Sequence, residues 1–329
     1  QPSASQITRV RLNGNATYEI DALDDEDPGT SIEHYVARIG LPEILDVDTD
    51  GYAVEVDRGD GRWVRVEGQA LRVLPDPEPP RRVIDVAGPC SPNDGADDTS
   101  CIVNAIAVAA EGDQVYFGPG VWDVISAPSA DGIEVYAGID LAGLDPSSTK
   151  IVRHPSWNAL PVFTLHGHQT VTGIHFEDLD ADTTSRTSFF RLGSEPVGGD
   201  TATVEDLVFT NNRFTDMMVA ISDGGRPIRR LFITYNEFEA IKDALYLAGS
   251  DIGLRSPKFE VTDSVVAHNT FFPNRIDTQY GTGVLASQVG GSRRLDFSGN
   301  TADGSQHGWR AAYFFHLQNN HEMLLISRN

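Results

Sequence analysis

The sequence is poor in lysine, in cysteine and in long apolar runs. Of its 329 residues, 25 are basic and only three of these are lysine, whereas 48 are acidic, so the net charge is −23. A field of this sign repels nucleic acid and anionic membrane surfaces. No apolar run approaches the roughly 18 residues that a membrane-spanning helix requires. The composition therefore argues against a nucleic-acid-binding protein and against a membrane span.

The only cysteines, Cys90 and Cys101, lie eleven positions apart. The sequence around them holds no CxxC and no neighbouring histidine, which disfavours a redox pair or half of a metal site. The chain begins Gln1-Pro2-Ser3 without a methionine or a signal peptide, and we expect a secreted or cell-surface protein in processed form. In that setting the two cysteines are predicted to form a disulfide.

A short apolar phrase that ends in asparagine recurs through the last third of the chain. Its asparagines are separated by 24, 33, 31 and 29 residues and are Asn212, Asn236, Asn269, Asn300 and Asn329. A period of roughly 20–50 residues indicates a solenoid. Asparagine tolerates the left-handed backbone of a sharp bend, and its amide both donates and accepts hydrogen bonds. The pattern therefore predicts stacked β-coils with a buried asparagine ladder at one bend.

Residues 1–82 lack this repeat and are predicted to form a small α+β module that ends in a proline-rich linker. Within it, residues 32–39 are predicted to form a short helix. Residues 52–57 and 62–66 alternate apolar and polar side chains, which predicts a hairpin. Residues 83–329 are then the solenoid.

The N-terminal module also contains a candidate calcium turn. Asp46, Asp48 and Asp50 alternate before Gly51, and Asp57 occupies the twelfth position of the run. This spacing matches the first half of a calcium loop, although the β-type residues that follow disfavour an EF-hand. A calcium-binding turn and a solvated acidic turn are the two interpretations. We expect no organic cofactor.

Two phrases mark the start of the solenoid. The first runs from Asp94 through Asp98 and Thr99, either of which could cap a helix with Ile102, Ile106 and Ala110 on one face. The second, residues 115–124, indicates a strand, a tight turn and a strand.

Together these phrases resemble the N-terminal cap and first coil of the pectate-lyase-like right-handed parallel β-helix superfamily. The resemblance covers roughly residues 83–329. It implies an all-β fold, a right-handed parallel β-helix with an N-terminal cap helix. It does not choose between polysaccharide lyases, glycoside hydrolases, sugar epimerases and viral tailspikes.

In enzymes that resemble this chain, the first strand of each coil and the loops after it form the substrate groove. Counting from the ladder, residues 219–222, 244–247, 283–286 and 312–315 should stack into that sheet. Polar residues of these coils are predicted to bind substrate, namely Asp223, Asp243, Tyr246, Arg275, His307, Arg310 and Tyr313.

The charge distribution favours an acidic polysaccharide as substrate. Residues 226–310 hold ten basic against nine acidic residues, whereas the rest of the chain has a net charge of −24. Basic side chains can neutralise a uronate and stabilise the enolate formed when its neighbouring proton is removed. The residues predicted to catalyse this β-elimination are Lys258, Arg255, Tyr280 and His316.

Two other functions stay open. A glycoside hydrolase needs two carboxylates that flank the glycosidic bond, and Asp223 and Asp243 are predicted at matching ends of neighbouring first strands. Alternatively, the solenoid is a non-catalytic glycan-binding surface or tail-fibre protein.

Two further expectations concern a metal site and the C-terminal end of the solenoid. His166 and His168 could chelate a metal if both lie on one strand, where positions i and i+2 share a face. Asn329 falls in mid-coil, so we expect a C-terminal continuation or a subunit that caps the open coil.

Overall fold

The computed structural model describes the backbone of residues 9–12, 16–19, 22–25, 35–38, 52–57, 63–71, 79–87, 90–159, 161–179, 188–193, 202–239, 243–247, 260–272, 284–289, 291–302, 313–317 and 321–327. Side chains are described at Ile326 and within 79–301 of these ranges, except at 260 and 284–289. The chain divides into two compact units, residues 1–79 and 80–329.

Three all-parallel sheets build the second unit, because each strand pairs with its counterpart in the next coil. Sheet I contains the strands Ile133–Val135, Pro161–Leu165, Ser188–Leu192, Val219–Asp223, Asp243–Leu247, Val284–Val289 and Tyr313–Leu317. Sheet II contains Val83–Asp85, Gln114–Phe117, Asp140–Gly143, Gln169–Thr172, Val204–Thr210, Ile228–Thr234, Glu260–Ala267, Gly291–Ser298 and His321–Ser327. Sheet III contains Gly120–Val124, Thr149–Arg153, His175–Asp178, Arg213–Thr215, Glu237–Glu239, Thr270–Phe271 and Thr301–Ala302.

This arrangement is a parallel β-helix, as predicted. The chain passes from sheet I to sheet II to sheet III in each coil, and the predicted stacking of the first strands in sheet I is confirmed.

The asparagine ladder is also confirmed. Asn212, Asn236, Asn269 and Asn300 are buried at the bend between sheets II and III. The side-chain amide of each of the first three donates to the Oδ1 of the next, over 3.0–3.1 Å. The left-handed residue is the one before each ladder position, for example Tyr235 with φ of 57°, and not the ladder asparagine itself.

A stack of phenylalanines fills the core behind the ladder. The ring centroids of Phe176 and Phe214 are 5.2 Å apart, and those of Phe214 and Phe238, and of Phe238 and Phe271, are 5.0 Å apart. The x-Phe that follows three of the four ladder asparagines therefore repeats for a packing reason, since identical rings stack at the strand spacing.

The N-terminal cap of the β-helix is the α-helix Thr99–Val108, with Ile102 and Ile106 buried. The helix ends before Ala110, which is exposed, so the prediction for that residue is wrong. The Asp98 side chain accepts from the Asp123 amide at 2.9 Å and makes no capping bond, whereas the Thr99 amide donates to Asp97 Oδ1 over 3.1 Å. No helix in the described part of the chain is long and apolar enough to cross a membrane.

The predicted disulfide is confirmed. Cys90 and Cys101 are bonded, with their Cα atoms 6.2 Å apart. The bond fixes the loop before the helix to the helix itself.

The described part of the first unit consists of strands. Arg9–Leu12, Ala16–Glu19, Tyr52–Asp57 and Trp63–Leu71 form one antiparallel sheet, and Ala22–Asp25 pairs with Tyr35–Arg38. The predicted hairpin is confirmed. The predicted helix at 32–39 is wrong for residues 35–38, because aromatic and β-branched residues favour a strand when a partner strand supplies the hydrogen bonds.

Candidate functional site

One register position of sheet I carries a polar side chain in every coil. The backbone pairings align Glu134, Thr164, Arg191, Ser222, Tyr246, Gln288 and His316. We call these seven positions the outer column. The residues just before Thr164, Arg191 and Tyr246 are buried in the core, and successive strand residues point to opposite faces. At about 4.8 Å per strand, the outer column extends about 29 Å along the β-helix.

Arg191 places a fixed positive charge in this column. Its guanidinium pairs with the carboxylate of Asp131 and lies 3.4 Å from the hydroxyl of Thr164, which donates to the Asp131 carbonyl oxygen over 2.8 Å. The Arg191 side chain is 9% exposed and that of Asp131 is 49% exposed. Within the described residues, Arg191 Nε has no hydrogen-bond partner.

The next two positions of the column present hydroxyl groups. Ser222 Oγ lies 2.8 Å from Ser188 Oγ and 3.3 Å from the carbonyl oxygen of Phe190. Tyr246, one coil further, is partly exposed. The middle of the column therefore combines a buried cation with hydroxyl groups that can both donate and accept.

At the first position of the column a carboxylate contacts an imidazole. Glu134 Oε2 contacts His166 Nε2, and both side chains are about 30% exposed. His166 belongs to the turn that follows the sheet I strand Pro161–Leu165. An acidic group and an imidazole thus lie at one end of the column, where Glu134 is four strand steps before Tyr246.

The structure places two predicted site residues in one line. Tyr246 and His316 both occupy the outer column, with Gln288 between them. Tyr313 begins the same strand as His316. The remaining predicted groove residues lie outside the described ranges and stay predictions, namely Arg255, Lys258, Arg275, Tyr280, His307 and Arg310.

Asp223 and Asp243 do not lie at matching ends of their strands, and this prediction is wrong. Asp243 pairs with Val219, the first residue of the neighbouring strand, whereas Asp223 is the last residue of that strand. Asp223 and Asp243 are therefore offset by four residues along the strand direction, which is about 13 Å in an extended chain. A hydrolase places its two carboxyl groups roughly 5–9.5 Å apart, so this pair does not have the required geometry.

The histidine pair His166 and His168 does not form a chelating site. Both lie in the turn between Pro161–Leu165 and Gln169–Thr172 and not on a strand. His168 has a left-handed φ of 54° and pairs with Asp206 over 3.1 Å, whereas His166 pairs with Glu134. The two rings therefore contact different carboxylates.

No group of three or more metal-binding side chains occurs in the ranges where side chains are described. The calcium turn of Asp46, Asp48 and Asp50 lies outside the described residues. Asp57 ends the strand Tyr52–Asp57, and its side chain is not described. Calcium binding stays a prediction.

Sheet III carries a second row of charged groups, on the register position that aligns Lys150, His175 and Arg213. Lys150 pairs with Glu177 at 2.6 Å and Arg213 with Glu239 at 2.5 Å. Burial, together with the nearby charges of Lys150 and Arg213, lowers the pKa of His175 to about 4. Each cation in this row forms an ion pair with a carboxylate. The row is therefore not predicted to bind an anion.

Sequence reasoning missed Glu134, Asp131 and Arg191. Their coils precede the first ladder asparagine, Asn212, so the repeat that gave the register of later coils is absent there. The signal that could have located Arg191 is its position after Phe190, whose burial in the core puts the next strand residue on the opposite face.

Comparison with known proteins gives similarity at the level of fold. No family and no curated protein matches the chain by sequence. Two similar solved structures are A-modules of mannuronan C-5 epimerases from Azotobacter vinelandii. The AlgE4 module is 17% identical over 74% of this chain and 76% of that chain, with a TM-score of 0.40. The AlgE6 module is 12% identical over 71% of this chain and 96% of that chain, with a TM-score of 0.37.

A third similar structure is the catalytic unit of a thermostable α-1,3-glucanase from Streptomyces thermodiastaticus. It is 15% identical over 96% of this chain and 56% of that chain, with a TM-score of 0.39. Likeness at this level says nothing about the chemistry of this chain.

Proposed function

We propose that this protein binds an acidic extracellular polysaccharide along the outer column of sheet I and cleaves it by β-elimination. The observation that carries the proposal is the alignment of Arg191, Tyr246 and His316 in one polar column. Glu134, Ser222 and Tyr246 are partly exposed along this column, whereas Thr164 and Arg191 are buried. Exposed donors and acceptors spaced along a groove suit an extended glycan, which offers hydroxyl groups at regular intervals.

The elimination assigns different roles to different positions of the column. Two strand steps, about 10 Å, separate Tyr246 from Arg191 and from His316. These three residues therefore act on different sugars of one bound chain. Tyr246 lies at the reacting bond, whereas His316 and the ion pair of Arg191 with Asp131 lie at the sugars on either side.

The segment after the strand Asp243–Leu247 supplies the remaining groups. It carries Arg255 and Lys258, and Tyr280 precedes the next sheet I strand. Arg255 neutralises the uronate carboxylate, and Lys258 removes the proton from the carbon beside it. The electron pair forms the new C=C bond as the glycosidic oxygen leaves, and the Tyr246 hydroxyl protonates that oxygen.

Elimination is favoured over hydrolysis by the position of the carboxylates. Asp223 and Asp243 are about 13 Å apart along the strand direction, which is too far for a pair that acts on one bond. Elimination needs a cation, a base and an acid, and it needs no second carboxylate.

The test is incubation of the full chain with a panel of polyuronates and neutral glycans. Elimination yields products with the ultraviolet absorbance of a double bond conjugated to a carboxylate. We expect Tyr246→Phe to lower the rate about 100-fold or more, the range for loss of a general acid. Tyr116→Phe, which changes a tyrosine of sheet II, is the matched control and should keep full activity.

Two outcomes would contradict the proposal. New reducing ends without the absorbance would indicate hydrolysis. Binding of a glycan without any product would indicate that the solenoid is a glycan-binding rod.

A further inference from the structure

An exposed aromatic ring lies beside the first position of the outer column. Tyr136 directly follows the strand Ile133–Val135 and is 61% exposed. Its ring stacks on that of His166 with centroids 6.4 Å apart and planes 19° apart. His166 in turn pairs with Glu134. A flat apolar face, an imidazole and a carboxylate are therefore adjacent at this end of the column.

A buried glutamine fixes the two turns that carry these groups. Gln169 is 2% exposed. Its Nε2 donates to the carbonyl oxygens of Val135 and Tyr136, both over 3.1 Å. Its Oε1 accepts from the backbone amides of His166 and Gly167 over 2.8 and 3.0 Å. The ring and the imidazole are thus held by satisfied buried hydrogen bonds, which reduces the entropy lost when a ligand binds.

This combination is suited to a neutral sugar. The C–H groups of a pyranose carry partial positive charge and meet the negative face of an aromatic ring. A carboxylate accepts hydrogen bonds from hydroxyl groups, but it repels the carboxylate of a uronate at the same position.

We propose that Tyr136, His166 and Glu134 form a subsite for a neutral pyranose. It rests on the proposed function of the outer column as a glycan groove. The polysaccharide is then a heteropolymer, with neutral sugars bound at the Glu134 end and uronates bound in the middle coils.

The test measures binding of three defined oligosaccharides to the full chain by calorimetry. These are an oligogalacturonate, a neutral cello-oligosaccharide, and an oligosaccharide in which uronate and neutral hexose alternate. We expect the alternating oligosaccharide to bind most tightly. Tyr136→Ala should weaken its binding roughly fivefold to tenfold, the value of one aromatic contact. Glu134→Gln should strengthen binding of the oligogalacturonate, because it removes the repulsion.

Tyr235→Ala is the matched control, because Tyr235 is 64% exposed and stacks on His268 with centroids 5.2 Å apart, but lies at the bend between sheets II and III. It should change none of the three affinities. Equal losses in Tyr136→Ala and Tyr235→Ala, or no loss in either, would overturn the subsite. So would an oligogalacturonate affinity that is unchanged by Glu134→Gln.

Failure of the subsite and failure of the elimination are separable. A Tyr136-dependent affinity without any cleaved product supports the subsite and contradicts the elimination. Cleavage of the oligogalacturonate with no effect of Tyr136→Ala supports the elimination and overturns the subsite. Absence of binding by all three oligosaccharides to the unmodified chain overturns both.

Discussion

Replacing Asn236 with leucine should cost about 2–4 kcal/mol of unfolding free energy. Asn236 is 1% exposed. Its Oδ1 accepts from the backbone and side-chain nitrogens of Asn212 over 3.0 and 3.1 Å. Its Nδ2 donates to the Phe209 carbonyl over 2.9 Å and to Asn269 Oδ1 over 3.0 Å. Leucine has a similar volume but makes none of these bonds, and each group left unsatisfied in the interior costs about 1–3 kcal/mol.

Urea unfolding of the two proteins measures this difference. Asn104→Leu is the matched control, because Asn104 is exposed on the cap helix, and it should change stability by less than about 0.5 kcal/mol. Hydrogen exchange at the Asn212 amide adds a local measurement, since that amide loses its acceptor and should exchange faster. Equal unfolding free energies for Asn236→Leu and Asn104→Leu would refute the argument that the ladder bonds stabilise the coils.

Two further predictions concern pH and the disulfide. Burial lowers the folded-state pKa of His175 from 6.5 to about 4, so the unfolded chain binds more protons between these values and stability falls as the pH drops through that window. Allowing for partial exposure of the ring, His175→Gln should remove about 1–2 kcal/mol of this dependence, and an unchanged slope of unfolding free energy against pH would contradict it. Reducing the Cys90–Cys101 bond, which spans eleven positions, should cost about 2–3 kcal/mol. An equal melting temperature with and without reductant would show that the bond adds no stability.

The sequence predicted the later coils well because their signal is local. Each ladder position, such as Asn236, requires the same residue type at the same bend of the coil. The phenylalanine two positions later, such as Phe238, fills the matching place in the core of its coil. Once the bend is located, counting along the chain gives the sheet I strands. The placement of Tyr246 and His316 in one sheet follows from that count.

Other features depend on how neighbouring strands pair, which the sequence pattern does not specify. The position of Asp223 relative to Asp243 along the strand direction is set by the register of neighbouring coils. A strand pattern in the sequence does not specify that register. In the coil before Asn212 the ladder position is taken by Ile174, whose backbone amide donates to Asn212 Oδ1 over 3.2 Å, and in the coil before that by Thr149. Without an asparagine to mark the bend, Glu134 and Arg191 could not be assigned to the outer face.

The most direct test of sheet I as the glycan groove is a crystal structure of the Tyr246→Phe variant with the alternating uronate and neutral hexose oligosaccharide. The substitution keeps the ring and removes the proton donor, so the bound chain should stay intact. We predict that the oligosaccharide lies along the outer column, with a neutral sugar over Tyr136 and a uronate near residue 246. An oligosaccharide bound along sheet II or sheet III would contradict the assignment of the groove.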